Sequence, residues 1–395
     1  MNGKVGNICN HPQQADGKGD KMNYIGIDLH KDSLSIVGIN ENNLIFVKER
    51  IPTKCIGKIQ EFFTRPDISP CIVACEAIGF YWWFYDLISD KVDKFILANP
   101  IETKKYSWNN PKTDFRDATR LALLIISGEF ERNRSLSSYA PDKTIRTFRE
   151  MTRTRSNLVY RKNSFVNSAR RIFLKNNISG PKILNSSTLC SFVDKFFDKF
   201  NQYHRKLLFI YAENLFYLER QISEIEREIY QFLNMERFNK VHKILTTIPG
   251  IGDMVSATLI SEIGDFKRFP EPSCLCSYAG MTPRVFQSSE TIRYGKITKQ
   301  GSVYIRKALI NASWVGVRES ERIRKIFIRI EKRAGRKKAI VAIGRKMLCW
   351  SWHLVINEKT WEEFCKRNPT ENRSGMTLQW LLNQRDESIK KNSVA

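Results

Sequence analysis

The chain has no uninterrupted run of about 18 apolar residues, the least a membrane-spanning helix needs, and on that ground a membrane span is excluded. Its first 21 residues are polar and lack the apolar core of a secretory signal, so they are expected to form a disordered leader, with Met22 as a functional start. Cysteine occurs nine times, an odd number scattered without a paired C-x-x-C framework. Zinc and structural disulfides are therefore not expected, and a reducing cytoplasmic setting is. Acidic residues are scarce relative to basic ones, with 41 Asp+Glu against 65 Lys+Arg and a net charge of +24. That imbalance argues against an acidic partner and against a neutral metabolic enzyme, and it favours a polyanion such as nucleic acid.

What is present is ordinary globular material. The apolar share is 42% and the charged share 27%, enough to bury a core, and 395 residues suggest two or three domains. The positive charge is concentrated. The stretch 143–175, taken with the flanking Asp142, carries a net +8, and the stretch 284–346 carries +14. Between them they hold nearly the whole excess, as a phosphate-binding surface would.

The segment 24–99 reads as α/β. Strand-like runs at 24–30, 33–40 and 44–50 precede a short helix at 56–65, a buried strand at 71–76, a helix at 81–89 and a strand at 95–98. Helices are expected beyond, at 113–127 and 144–174. A heptad seam then places Leu208, Tyr211, Leu215, Leu218, Ile222, Ile225, Ile229 and Phe232 on one stripe, which predicts a coiled coil or long helical hairpin, its partner either this chain or another copy. Further on, Pro249-Gly250-Ile251-Gly252 between two helices has the form of a helix–hairpin–helix, where free N–H groups could take a phosphate, or of plain helix packing.

Four carboxylates stand out. Alternation along Tyr24–His30 sets Ile25, Ile27 and Leu29 on one face and Tyr24, Gly26 and Asp28 on the other. Glu76 ends a second apolar strand, where an ionised group is costly without compensation. Asp114 and Asp117, three apart at a helix start, share a face, although acids also suit a helix N-terminus on dipole grounds. Converging oxygens of this kind suit Mg²⁺ or Mn²⁺ and the phosphoryl transfer such ions support.

These residues carry a resemblance. The stretch Gly26–Asp32, the block Cys75-Glu76-Ala77-Ile78-Gly79 and the block Lys112-Thr113-Asp114-x-x-Asp117-Ala118 resemble the DEDD domain of transposases of the insertion sequence one-ten family, related to pilin-gene invertases and similar to RuvC resolvases. Ile248–Gly252, Phe269, Ser277–Arg284 and Gly295–Gly301 resemble the family's C-terminal transposase domain, so the match runs in order from about residue 24 to 350. The resemblance implies a ribonuclease-H-like (RuvC-like) α/β domain at 22–140, a basic helix and coiled coil at 141–236, a mostly helical transposase domain at 237–350 and a tail at 351–395. It also implies a metal-binding tetrad of Asp28, Glu76, Asp114 and Asp117, with Mg²⁺ or Mn²⁺ as cofactor. Donor and target DNA and a structured bridge RNA are the implied partners, and a homo-oligomer, a dimer of dimers, the implied assembly.

The family's nucleophile is implied to be a serine shortly after Thr282-Pro283-Arg284. Here Ser288 is followed by Ser289 where Ser-Gly is usual, and Ser288 is the expected nucleophile. A serine hydroxyl needs activation, and a loop carrying Arg284, Arg293, Lys296 and Lys299 could stabilise charge on a phosphate; a plain polar loop is the alternative. The leading expectation is a transposase acting by transesterification. A metal-dependent junction-resolvase-like nuclease using water, or a non-catalytic nucleic-acid binder, are the rivals.

Overall fold

The computed structural model describes residues 21–106, 113–288 and 291–367. The chain forms two compact units, Met1–Ala140 and Pro141–Ala395. The expected leader lies outside the described residues except for its last one.

The first unit is built on β1 (Asn23–Leu29), β2 (Ser33–Ile39), β3 (Ile45–Pro52), β4 (Cys71–Glu76) and β5 (Lys94–Ala98), ordered β3-β2-β1-β4-β5. Tight connections make β1–β2 and β2–β3 antiparallel, whereas β4 and β5 run parallel to β1. Parallel pairing requires a crossover, supplied by α1 (Ile56–Thr64) before β4 and α2 (Trp82–Ile88) before β5. Both pack on one face: Ile59, Phe62 and Phe63 of α1 and Phe84 and Ile88 of α2 close over Ile25, Ile27 and Leu29, the apolar set expected from alternation.

The other face is covered by α4 (Asp114–Ile126), with the short α3 (Pro100–Thr103) before it and α5 (Glu129–Arg132) after it. Leu121, Leu124 and Ile125 of α4 bury Ala74, Ile96 and Ala98, while Ala118 and Ala122 meet Val37 and Ile39. Gly26 makes this approach possible. A methyl group there would lie 1.8 Å from the Ala118 carbonyl oxygen and 2.7 Å from the Ala122 nitrogen. Sheet order, strand directions and helix placement together are those of a ribonuclease-H-like domain.

The second unit is largely helical. Its α6 (Lys143–Lys175), α7 (Ser186–Lys195) and α8 (Gln202–Asn234) form one packed group. Phe148 stacks on Phe232 with ring centroids 4.9 Å apart, Arg155 pairs with Glu226 at 2.7 Å and Lys162 with Glu219 at 2.9 Å. Partners that ascend α6 while descending α8 make the pair an antiparallel hairpin, so the heptad stripe finds its partner in the same chain. Leu208, Leu215 and Ile229 of the stripe are buried, Tyr211, Leu218, Ile222, Ile225 and Phe232 are only partly so, and the adjoining Ala212 and Leu233 are buried as well. The buried set Leu208, Ala212, Leu215, Ile229 and Leu233 keeps the seven-residue period.

The remaining elements are α9 (Glu236–Leu245), α10 (Asp253–Ile263), α11 (Pro272–Tyr278), β6 (Pro283–Ser288), β7 (Thr291–Ile297), α12 (Val303–Glu319), α13 (Glu321–Ala334), α14 (Arg336–Ile356) and α15 (Trp361–Arg367). By length and composition α14 could cross a membrane, but Ala339, Ile340, Ile343, Met347, Leu348 and Leu354 lie in the unit's main core, which accounts for its apolarity. Residues 351–367, expected to begin a tail, instead complete α14 and add α15, whose Trp361 is buried against Trp350 at 4.9 Å between centroids.

The Pro-Gly-x-Gly turn between α9 and α10 serves packing. Gly250 has φ +92°, and a methyl group on it would sit 2.2 Å from the Ala312 carbonyl oxygen. Gly316 answers from α12, where the same addition would come 2.7 Å from the Pro249 oxygen. The N-terminus of α10 already holds a carboxylate, Asp253, which accepts a hydrogen bond from Tyr230 Oη at 3.0 Å.

Candidate functional site

The four acids stand on three elements of the first unit. Asp28 lies near the end of β1, Glu76 ends the parallel neighbour β4, and Asp114 and Asp117 occupy the first turn of α4. The close seating of α4 on Gly26 brings its N-terminal turn to the Asp28 end of β1. Ligand sites in open α/β sheets form beyond strand ends of this kind.

The four do not meet at a single point. Asp28, His30 and Asp114 each offer a ligand atom, and these lie within 4.8 Å of one another. His30 Nε2 is 3.0 Å from Asp28 Oδ2 and 3.4 Å from Asp114 Oδ1. Arg50, from β3, donates to Asp114 Oδ2 at 2.6 Å and lies over the Phe115 ring. Glu76 and Asp117 are drawn together instead by Arg120, which donates through Nη2 to Glu76 Oε1 at 3.2 Å and through Nη1 to Asp117 Oδ1 at 2.6 Å. Thr103, fully buried after β5, donates to the same Glu76 oxygen at 2.9 Å. Burial raises the Asp28 carboxyl above its ordinary value; His30 opposes that rise, and the negative charges of Asp117 and Asp114 add to it.

The donor set fits a divalent cation. Carboxylate oxygens from separate elements converge beside an imidazole nitrogen, a combination that can hold a divalent metal ion. Ser35 lies directly across from Asp28 in the β1–β2 register, and its Oγ is buried without a hydrogen-bond partner among the described residues. An orphaned buried hydroxyl beside a half-buried carboxylate fits a site shaped around an additional polar species.

His30, Arg50, Thr103, Ser35 and Arg120 were not singled out by the sequence. Two of them carried a signal: His30 follows Asp28 by two, hence shares its face of the strand, and Arg120 follows Asp117 by three, hence shares its face of the helix. Arg50, Thr103 and Ser35 reach the site only through sheet register and the α3 turn, which no local pattern reveals.

Ser288 belongs to the second unit. The segment expected to be a polar loop is a β-hairpin: β6 ends at Ser288, which pairs with Thr291 at the start of β7, and Phe286 pairs with Arg293. The β-branched and aromatic residues Val285, Phe286, Thr291, Ile292, Tyr294 and Ile297 favour the strands. Arg284, Arg293, Lys296 and Lys299 are exposed along or just beyond this hairpin. Ser289 and Lys112 lie outside the described residues.

Comparison with known proteins agrees with this architecture. A family model described as a transposase, of the DEDD type, matches residues 25–176, and one described as the transposase IS116/IS110/IS902 family matches residues 242–327. The chain is 22% identical over 302 residues to a probable family 20 transposase of Pseudomonas aeruginosa, covering 75% of this chain and 85% of that protein. It is 25% identical over 308 residues to the transposase for insertion sequence element IS1328 of Yersinia enterocolitica, covering 76% and 85%. A pilin gene-inverting protein of Moraxella bovis is 30% identical over 155 residues, which span 38% of this chain and 48% of that protein. With both family models met in order, and a ribonuclease-H-like sheet carrying the acids ahead of a helical region, the chain is a DEDD-type transposase of the IS110 family, an enzyme of DNA phosphoryl transfer.

Proposed function

We propose that the chain cuts and exchanges DNA strands with Asp28, Glu76, Asp114 and Asp117 as the metal-holding tetrad and Ser288 as the nucleophile. The observation that carries this reading is the gathering of four carboxylates from β1, β4 and α4 around one strand end, with ligand atoms of Asp28, His30 and Asp114 within 4.8 Å. A bound Mg²⁺ or Mn²⁺ supplies charge stabilisation at phosphate oxygens. The residues of the chain do the rest. Thr103 orients Glu76 through its hydrogen bond, Arg50 steers Asp114, and His30 spans Asp28 and Asp114. The Ser288 hydroxyl attacks a DNA phosphorus, forming a phosphoserine ester and releasing a deoxyribose hydroxyl; return attack by a hydroxyl end restores the serine. Bond energy is conserved, so no external energy source is consumed. Arg284, Arg293, Lys296 and Lys299 offset the charge that builds on the phosphate.

Donor and target DNA and a structured guide RNA are proposed to lie on the two basic segments, the first along α6 and the second from β6 through α14. The working assembly is proposed to be a dimer of dimers. Support for the polyanion comes from the net +8 and +14 of those segments.

The test is Ser288→Ala against Ser289→Ala, assayed for a covalent protein–DNA adduct on a nicked or suicide substrate with RNA supplied. Ser288→Ala is expected to bind DNA and form no adduct, while Ser289→Ala forms it. Adduct formation by Ser288→Ala but not Ser289→Ala would move the role to the neighbouring serine. Full-rate cleavage by both and by the double variant would leave the metal-dependent, water-using nuclease.

A further inference from the structure

Arg120 does in this protein what a metal ion would do: it bridges two carboxylates contributed by different elements. Glu76 comes from β4 and Asp117 from α4, and one guanidinium donates to both, at 3.2 and 2.6 Å. Its side chain is only 18% exposed, it is anchored three residues from Asp117 on the same helix, and the fork geometry of a guanidinium suits this double grip. The other arginine on an acid of the site, Arg50, is different. Its side chain is 51% exposed on an outer strand and pairs with Asp114, so water can replace it at small cost. The consequence of the Arg120 bridge is visible in the arrangement of the acids. Asp28, His30 and Asp114 cluster, while Glu76 and Asp117 stand outside that cluster, on the arginine.

We infer that Arg120 is a tethered cation which competes with the divalent ion for Glu76 and Asp117, and that the four acids converge on one ion only when this bridge opens. The inference rests on the metal-tetrad reading and adds to it a positioning residue that sets ion affinity. A neutral residue at position 120 removes the positive charge held against Glu76 and Asp117 and frees both carboxylates, so binding tightens. The same change leaves the ion-free protein with uncompensated acids, so its stability falls until an ion restores it.

The test uses full-length protein and Mn²⁺ alone as probe. Binding is followed by loss of the free Mn²⁺ paramagnetic resonance signal, and thermal unfolding is recorded in EDTA and in saturating Mn²⁺. Arg120→Gln is expected to bind Mn²⁺ roughly tenfold more tightly or better, to unfold at a lower temperature than wild type in EDTA, and to gain more from Mn²⁺ than wild type does. Arg120→Lys, which keeps the charge but loses the planar two-pronged grip of the guanidinium, should tighten binding by a smaller factor, and it carries the test if Arg120→Gln does not fold. Unchanged or weaker binding in the folded variants, or a loss of stability equal with and without Mn²⁺, overturns the inference and leaves Arg120 a structural clamp. Asp28→Asn separates the two levels of the argument. If wild type binds no more Mn²⁺ than Asp28→Asn, the metal-tetrad reading itself fails and the competition falls with it.

Discussion

Gly26→Ala perturbs both the fold and the site through one added methyl group. The methyl would be placed 1.8 Å from the Ala118 oxygen and 2.7 Å from the Ala122 nitrogen, both main-chain atoms of α4. No side-chain rotation relieves such a clash. Non-bonded heavy atoms settle at about 3.5 Å or more, so the helix must retreat by about 1.5 Å, prising Ala118 and Ala122 off Val37 and Ile39. Overpacked cores usually lose about 1–3 kcal/mol, and a clash with the backbone belongs at the top of that range, near 3 kcal/mol. For a unit of this size that is a fall of roughly 10 °C in the melting temperature. The helix that retreats carries Asp114 and Asp117 of the proposed tetrad, and where such groups act in the reaction a 1 Å misplacement can cost about 10²-fold in rate. Calorimetry of the full chain measures the first effect and a strand-transfer assay the second. Gly79→Ala is the control, because a methyl there meets nothing within 4 Å. A Gly26→Ala protein that melts within about 2 °C of wild type and keeps its activity would refute the claim that close seating of α4 on β1 builds the site.

Two further outcomes concern the second unit. Glu262 is 1% exposed and is held by Arg153 at 2.6 and 2.9 Å, so Arg153→Ala should strand a buried carboxylate and cost about 3–5 kcal/mol by denaturant unfolding, whereas Arg153→Met with Glu262→Met should recover most of it. Asp142 caps α6 through the Ile145 N–H at 3.0 Å and pairs with Arg237. Burial pushes its carboxyl up, but the Arg237 and Ile145 hydrogen bonds outweigh that and hold it below its ordinary 3.8. A depressed acid stabilises the fold above its unfolded value and ceases to as pH falls through its folded one. Asp142→Ala should therefore cost about 1 kcal/mol at neutral pH, with the difference from wild type closing below about pH 4 in melting curves taken across pH.

Where a pattern is local, it was legible. The β1 alternation gave both faces correctly because one face must be apolar to sit under α1 and α2, and a slip of one residue would bury Asp28 among phenylalanines. The α8 stripe was legible for a similar reason, but periodicity fixes which face of a helix is apolar and says nothing of what covers it. Here α6 does, through contacts such as Phe148–Phe232. The hairpin carrying Ser288 was missed because its Ser, Gln and Glu content resembles a loop, while its β-branched and aromatic residues are confined to two strands of only six and seven residues.

The candidate site shows the same division. Its acids were identified through motif blocks, each read from a few neighbouring residues. The groups that govern those acids come from elsewhere: Arg50 across the sheet, Ser35 by register, Thr103 from the turn after β5. Motif blocks name the charges a site contains, and topology decides which charges confront one another. That is why the sequence could name a tetrad yet not foresee that its members stand in two groups, Asp28 and Asp114 around His30 and Glu76 and Asp117 around Arg120. The split has an electrostatic reason. Four carboxylates at one strand end repel strongly in a partly buried setting, and the Asp28 carboxyl, already raised by burial, is pushed further up by Asp114 and Asp117. A fold that must stay intact before any ion arrives has to compensate these charges itself, and Arg50 and Arg120 do so by ion pairing and His30 by its contacts with Asp28 and Asp114.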